Sequence, residues 1–183
     1  LDLKATETTQ LAPVKTPQPP APQCLSQVPL VCAIETGRFT EDLYKKLLLN
    51  WRQQVVEGGR WITRAASSIE SPYAQVRSLF IQHAKEEHLD FEMLEQNFQY
   101  LGGELEEIRS YKPNCGSEAL SAFIMYRASL PNPFDLMGAM FIIEGLGHNK
   151  ARRWGEMIQS QLQLPPAAVS FLLYHGENDE HHV

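Results

Sequence analysis

A chain of 183 residues with 43% hydrophobic and 21% charged side chains carries enough apolar material for one buried core. Its net charge of −6 leaves no basic footprint for nucleic acid, and no apolar run reaches the roughly 18 residues of a membrane span. Cys24, Cys32 and Cys115 are too few and too widely spaced for a disulfide scaffold, which fits a soluble protein of a reducing cytoplasm.

No charged start leads into an apolar stretch, so no signal peptide is expected, and the initial Leu1 fits a fragment or a processed chain. Residues 1–37 read as a tail or linker. Pro13, Pro17, Pro19, Pro20, Pro22 and Pro29 stand among Thr, Gln and Ala, a composition that favours extended, poorly ordered chain. Residues 38–183 then read as helical throughout. Thr40 is a good N-cap, with Glu41 and Asp42 placed where the helix dipole favours negative charge. Leu43, Leu47, Trp51 and Val55 recur at helical spacing, and Gly58-Gly59 is expected to bend or interrupt the helix before Trp61, Ile62 and Ala65 resume it.

Ser71-Pro72 starts a second long helix, predicted to run unbroken to Leu101 and to end at Gly102-Gly103. One face of it reads Val76, Phe80, His83, Glu87, Asp90, Leu94, Phe98, Leu101: an apolar stripe with three ionisable groups in its middle. A shorter helix capped by Ser117 follows, with Leu120, Phe123, Ile124 and Leu130 on its apolar side. Asn132, between two prolines, is the expected cap of the next helix. That helix places Met137, Phe141, Glu144, His148, Ala151, Gly155, Ile158 and Leu162 on one face. Leu164-Pro165-Pro166 ends it. In the final helix His175, Asp179 and His182 fall at i, i+4 and i+7, on the arc that Ala168, Phe171 and Leu172 make apolar. No strand-period alternation or internal repeat appears, so the fold class is an all-α bundle.

Ionisable groups inside buried stripes need something to satisfy them. Glu87, Asp90, Glu144 and Asp179 offer oxygen, and His83, His148, His175 and His182 offer nitrogen. A donor set without thiolate suits iron or manganese better than structural zinc, and two cations would offset the repulsion among the acids. Taken singly, each piece has an ordinary reading as well: His83 as a hydrogen-bonded core histidine, Glu86 and His88 as solvated groups, Glu144 and His148 as a helix-surface pair.

These residues resemble the haem-oxygenase-like diiron oxidases and oxygenases. The His-x3-Asp-x2-His of that family's last helix is matched by His175, Asp179 and His182. Its Glu on an earlier long helix is matched by Glu144, and the segment from His83 to Asp90, ahead of Leu101-Gly102, stands where a further Glu and His are usual. The similarity spans roughly residues 45–183. Two departures stand out: Asp90 where His is usual, from which a permuted ligand set or a weakened or lost metal position is expected, and a chain that stops where members normally continue, from which a bundle without the usual C-terminal segment is expected.

The resemblance implies a haem-oxygenase-like helical bundle that binds two iron ions and uses O2 to oxidise a small molecule such as an amino-acid derivative or a fatty acid. The implied metal set is His83, Glu87, Asp90, Glu144, His175, Asp179 and His182. Phe141 would line the substrate pocket, together with Phe80, Met137 and Phe171, and Arg152 would hold a substrate carboxylate; core packing and a structural ion pair are the plainer readings of these residues. A homodimer would cover a face left open by the short C-terminus. Two other functions stay open: a metal-free relative of the same fold, such as a thiaminase-type enzyme, and a helical binding module tethered through its tail.

Overall fold

The computed structural model describes residues 27–178, and among them the chain is helical with no strand. The first helix, α1 (Pro29–Glu35), already corrects the boundary expected at residue 37. Pro29 sits in its first turn, where a missing N–H is harmless, and Val31 and Ile34 are buried against the bundle. Val31 and Ile34 therefore belong to the core, with Leu30 and Ala33 packed against it. The other prolines of the expected tail, and Cys24, lie outside the described residues.

Thr40 caps α2 (Glu41–Ser68) as expected, its hydroxyl accepting from the Leu43 amide at 3.3 Å. The helix continues through Gly58-Gly59, which does not interrupt it. The reason is packing: a Cβ on Gly59 would stand 2.9 Å from the backbone of His88, so the bare glycine lets a second segment approach α2 closely.

That second segment is the predicted long helix, and it is two helices. A tight turn at Ser71–Tyr73 leads into α3 (Ala74–Glu87), the chain kinks at residues 88–90, and α4 (Phe91–Tyr100) resumes. At the kink the bonds shorten to i→i+3, Asp90 N to Glu87 O and Met93 N to Asp90 O. No Gly or Pro marks this place, so periodicity alone carried the expected helix through it.

Beyond Gly102-Gly103 come α5 (Leu105–Ser110) and α6 (Cys115–Ala128). The cap of α6 is Asn114, whose Oδ1 accepts from the Ser117 amide at 3.0 Å, and not Ser117 itself. Asn132, expected to cap the following helix, takes a left-handed φ of 50° and accepts from the Glu70 amide at 2.9 Å, tying its loop to the end of α2. The next predicted helix is also divided. It consists of α7 (Asp135–Leu146), one π-helical turn at Gly147–Ala151, and α8 (Arg152–Leu162). A short turn at Pro166–Val169 leads into α9 (Ser170–Asn178).

Two apolar clusters fill the bundle. One joins Tyr44, Leu48, Leu94, Phe98, Ile108, Ile158, Val169 and Leu172, and the other joins Trp61, Ile62, Ala65, Phe80, Ile124, Ala128 and Leu136. Helix α2 runs through both. Of the faces expected of α6 and α7, Ile124 is buried as expected, but Leu120, Phe123, Met137 and Phe141 are exposed, while Ala128 and Leu136 turn inward. Helix α7 is apolar nearly all round, so its sequence cannot specify a face. No helix among the described residues is long and apolar enough to cross a membrane.

Candidate metal centre

Between the two apolar clusters five ionisable side chains meet. His83 and Glu87 come from the last turns of α3, Asp90 from the kink, Glu144 from the end of α7, and His175 from α9. His83, Asp90, Glu144 and His175 are each at most 9% exposed. His83 Nε2 stands 3.3 Å from Glu144 Oε1, and His175 Nε2 stands 3.3 Å from Asp90 Oδ2. Glu87 lies between these pairs. One donor atom each from His83, Glu87 and Glu144 fall within 4.8 Å of one another, and so do those of Glu87, Asp90 and His175.

Burial, then the charges of Asp90 and Glu144, push the Glu87 carboxyl up to about 7 against the opposing pull of His175 and His83. Burial alone would lower His83, but its hydrogen bond to Glu144 and the surrounding acids prevail and raise it. The cluster thus gathers three acids in one buried space, which disfavours the negative charge of Glu87. Asp90 Oδ2 is buried and makes no hydrogen bond among the described residues, although it faces His175. A cationic centre fits this environment. Three carboxylates and two imidazoles without thiolate suit iron or manganese, and the two three-residue groups share Glu87. His83, Glu87 and Glu144 would hold one ion, and Glu87, Asp90 and His175 a second.

Several residues that the sequence reading passed over hold this arrangement. Asn97 of α4 is fully buried. It donates to Ala167 O at 2.9 Å and Ser170 Oγ at 2.8 Å, and it accepts from the Phe171 amide at 3.3 Å, fixing the first turn of α9 one turn before His175. The Tyr44 hydroxyl donates to Ala168 O at 2.8 Å in the same segment. A Cβ on Gly176 would lie 2.6 Å from the Arg152 amide nitrogen, so this glycine lets α9 press against α8. Glu95, its side chain 4% exposed, receives bonds from both Arg52 and Arg109. Asn97 shares the buried arc of Leu94 and Leu101 at helical spacing, the same signal that singles out His83.

A cavity of about 310 Å³ opens beside the cluster. His83, Glu87, Glu144 and His175 line it together with Trp51, Trp61, Ile124, Met140, Trp154 and Phe171. Of the expected pocket residues only Phe171 is there. Phe141 is 60% exposed and outside the cavity, as is Met137, because α7 turns Met140 and Ile143 toward it instead. Phe80 is core. Arg152 is not part of the lining either: its guanidinium donates to Glu156 at 3.0 Å and Glu177 at 2.7 Å, a structural ion pair. Glu86 and His88 are exposed, as their ordinary reading holds. Asp179, His182 and the side chain of His148 lie outside the described residues.

No protein-family model and no curated protein matches the sequence. Among solved structures, the chain is similar to a domain of unknown function with a heme oxygenase-like fold from Shewanella denitrificans OS217. The TM-score is 0.80, the identity is 22%, and the match covers 86% of this chain and 68% of that one. Identity at that level speaks for the architecture and not for the chemistry. The all-α bundle, with its kinked helix and its buried polar seam, is a haem-oxygenase-like fold.

Proposed function

We propose that this chain is a non-haem oxidase or oxygenase that carries two iron ions and oxidises a small molecule held in the adjacent cavity. The observation that supports it best is the sharing of Glu87 by two groups of metal-type donors, each gathered within 4.8 Å. When bound, paired ferrous ions supply redox chemistry with O2 that no side chain here could perform. The chain's own residues do the rest. Glu87 draws both halves of the cluster together, while His83 and His175 bring nitrogen donors from separate helices. Trp51, Trp61, Trp154 and Phe171 give the space beside the cluster an apolar lining. Cys115 is exposed at the start of α6 and does not line the cavity, which argues against a thiol nucleophile of the thiaminase type.

One observation favours the metal-free binding module. Each histidine already faces an acid at 3.3 Å, so the cluster can partly neutralise itself. Ferrous titration under argon, followed by admission of air, separates the two. The oxidase reading expects two ions per chain and a visible absorption transient with air, and His175→Ala should reduce uptake. A chain that takes up no iron, or whose uptake is the same in His175→Ala, contradicts it.

A further inference from the structure

We propose that a second copy of this chain docks on the outer face of α6 and α7, and that the pairing closes the mouth of the cavity. In α7 the side chains of Met137, Phe141, Ile142, Ile143 and Leu146 reach solvent, and in α6 so do those of Leu120, Phe123 and Tyr126. Each is between 41% and 69% exposed. At roughly 200 Å² a side chain and about half exposure, the face presents on the order of 800 Å². A monomer rarely leaves more than about 600 Å² of contiguous apolar surface bare, and a standard interface takes about 800 Å² from each partner. The face is continuous across the two helices. Leu120 of α6 and Ile143 and Leu146 of α7 line the same cavity, so the bare sides meet at its mouth.

The shape of α7 fits its own copy as the occupant. Gly138, Ile142 and Gly145 fall on one stripe, at steps of four and three residues. Ile142 is 69% exposed, whereas a Cβ on either glycine would meet nothing within 4 Å among the described residues. A knob therefore stands between two hollows on the same face. Turned about a two-fold axis, a second α7 running antiparallel lays its Ile142 into one hollow and receives the first Ile142 in its own. That self-complementarity is what a symmetric dimer requires.

Charge points the same way. Helix α7 carries only Asp135 and Glu144, and α6 only Glu118 and Arg127. Arg127 pairs with Asp135 at 2.8 Å, and Glu144 turns inward to His83. A chain of net charge −6 repels its own copy least across such a face. A lipid surface suits it less, because helices that lie on membranes flank their apolar side with Lys and Arg. Since Leu120, Ile143 and Leu146 belong both to the face and to the cavity wall, a docked copy covers the opening.

Sedimentation equilibrium of the full-length protein at micromolar concentration should give twice the mass of the chain. Phe123→Glu and Ile142→Glu each place a charge in the interface and should weaken the dimer at least about tenfold. Tyr100→Glu, 57% exposed at the end of α4 away from the kink, should leave it unchanged. Circular dichroism checks that each variant is folded. The three tryptophans of the chain all line the cavity, so acrylamide should quench the fluorescence of dissociated Ile142→Glu more strongly than that of the dimer. A monomeric wild-type chain would overturn the pairing, whether or not it floats with phosphatidylcholine vesicles. So would a dimer that the face variants disturb no more than Tyr100→Glu does. Equal quenching would overturn the closure of the cavity. The pairing does not rest on iron: a dimer that takes up no iron removes the oxidase alone, and an iron-loaded monomer removes the pairing alone.

Discussion

Asn97 and Glu95 show how single polar side chains inside α4 organise what surrounds them. Asn97, itself fully buried, pairs with the Ala167 carbonyl, the Ser170 hydroxyl and the Phe171 amide where the chain enters α9. Asn97→Ala leaves them unpaired and should destabilise the fold by roughly 2–3 kcal/mol, read as a lower urea midpoint. Loosening α9 should also weaken iron uptake, because His175 loses its anchor. Glu95→Gln keeps the shape and removes the charge. Burial by itself would raise the Glu95 carboxyl, but the bonds and charges of Arg109 and Arg52 hold it below its ordinary value of 4.5. A group whose folded pKa is depressed contributes stability that is complete above its unfolded pKa and is lost as pH falls through the folded one. Stability measured by denaturation across the acid range should therefore fall below about pH 4.5, and the slope there should be shallower in Glu95→Gln. Parallel profiles for the two proteins would mean that the arginines do not act on this carboxylate.

At the scale of elements, the two glycines of α2 make contrasting predictions. Gly58 has nothing within 4 Å of where a Cβ would stand, whereas Gly59 meets the His88 backbone at 2.9 Å. Gly58→Ala should stabilise the protein by roughly 0.5–1 kcal/mol through helix propensity. Gly59→Leu should destabilise it by roughly 1–3 kcal/mol through overpacking at the kink. A thermal melt of each variant decides between this account and one in which the pair is simply a weak point of the helix.

The same comparison shows what periodicity can and cannot convey. Ionisable residues in the apolar stripe of α3 and α4 were legible because a helix that buries Phe80, Leu94 and Phe98 must also bury what lies between them. The kink at residues 88–90, where the His88 backbone lies close to Gly59 of α2, was not legible, since it contains no breaker residue. Nor was the orientation of α7, where apolar side chains on nearly every side leave Phe141 and Met140 indistinguishable on spacing alone. Arg152 lies two turns beyond Glu144 in sequence, but its partners Glu156 and Glu177 draw it outward.

Across the whole molecule, two apolar clusters joined by α2 leave a seam, and that seam contains His83, Glu87, Asp90, Glu144 and His175 beside a cavity. The haem-oxygenase-like architecture brings three separate stretches of chain to one place, which no local pattern could convey. What the proposed function adds is that this place is a cation site with Glu87 common to both halves. Crystals loaded anaerobically with ferrous iron and measured at the iron absorption edge test that directly. The account predicts two anomalous peaks flanking Glu87, one beside His83 and Glu144 and one beside Asp90 and His175; a map with no peak among these five side chains would contradict it.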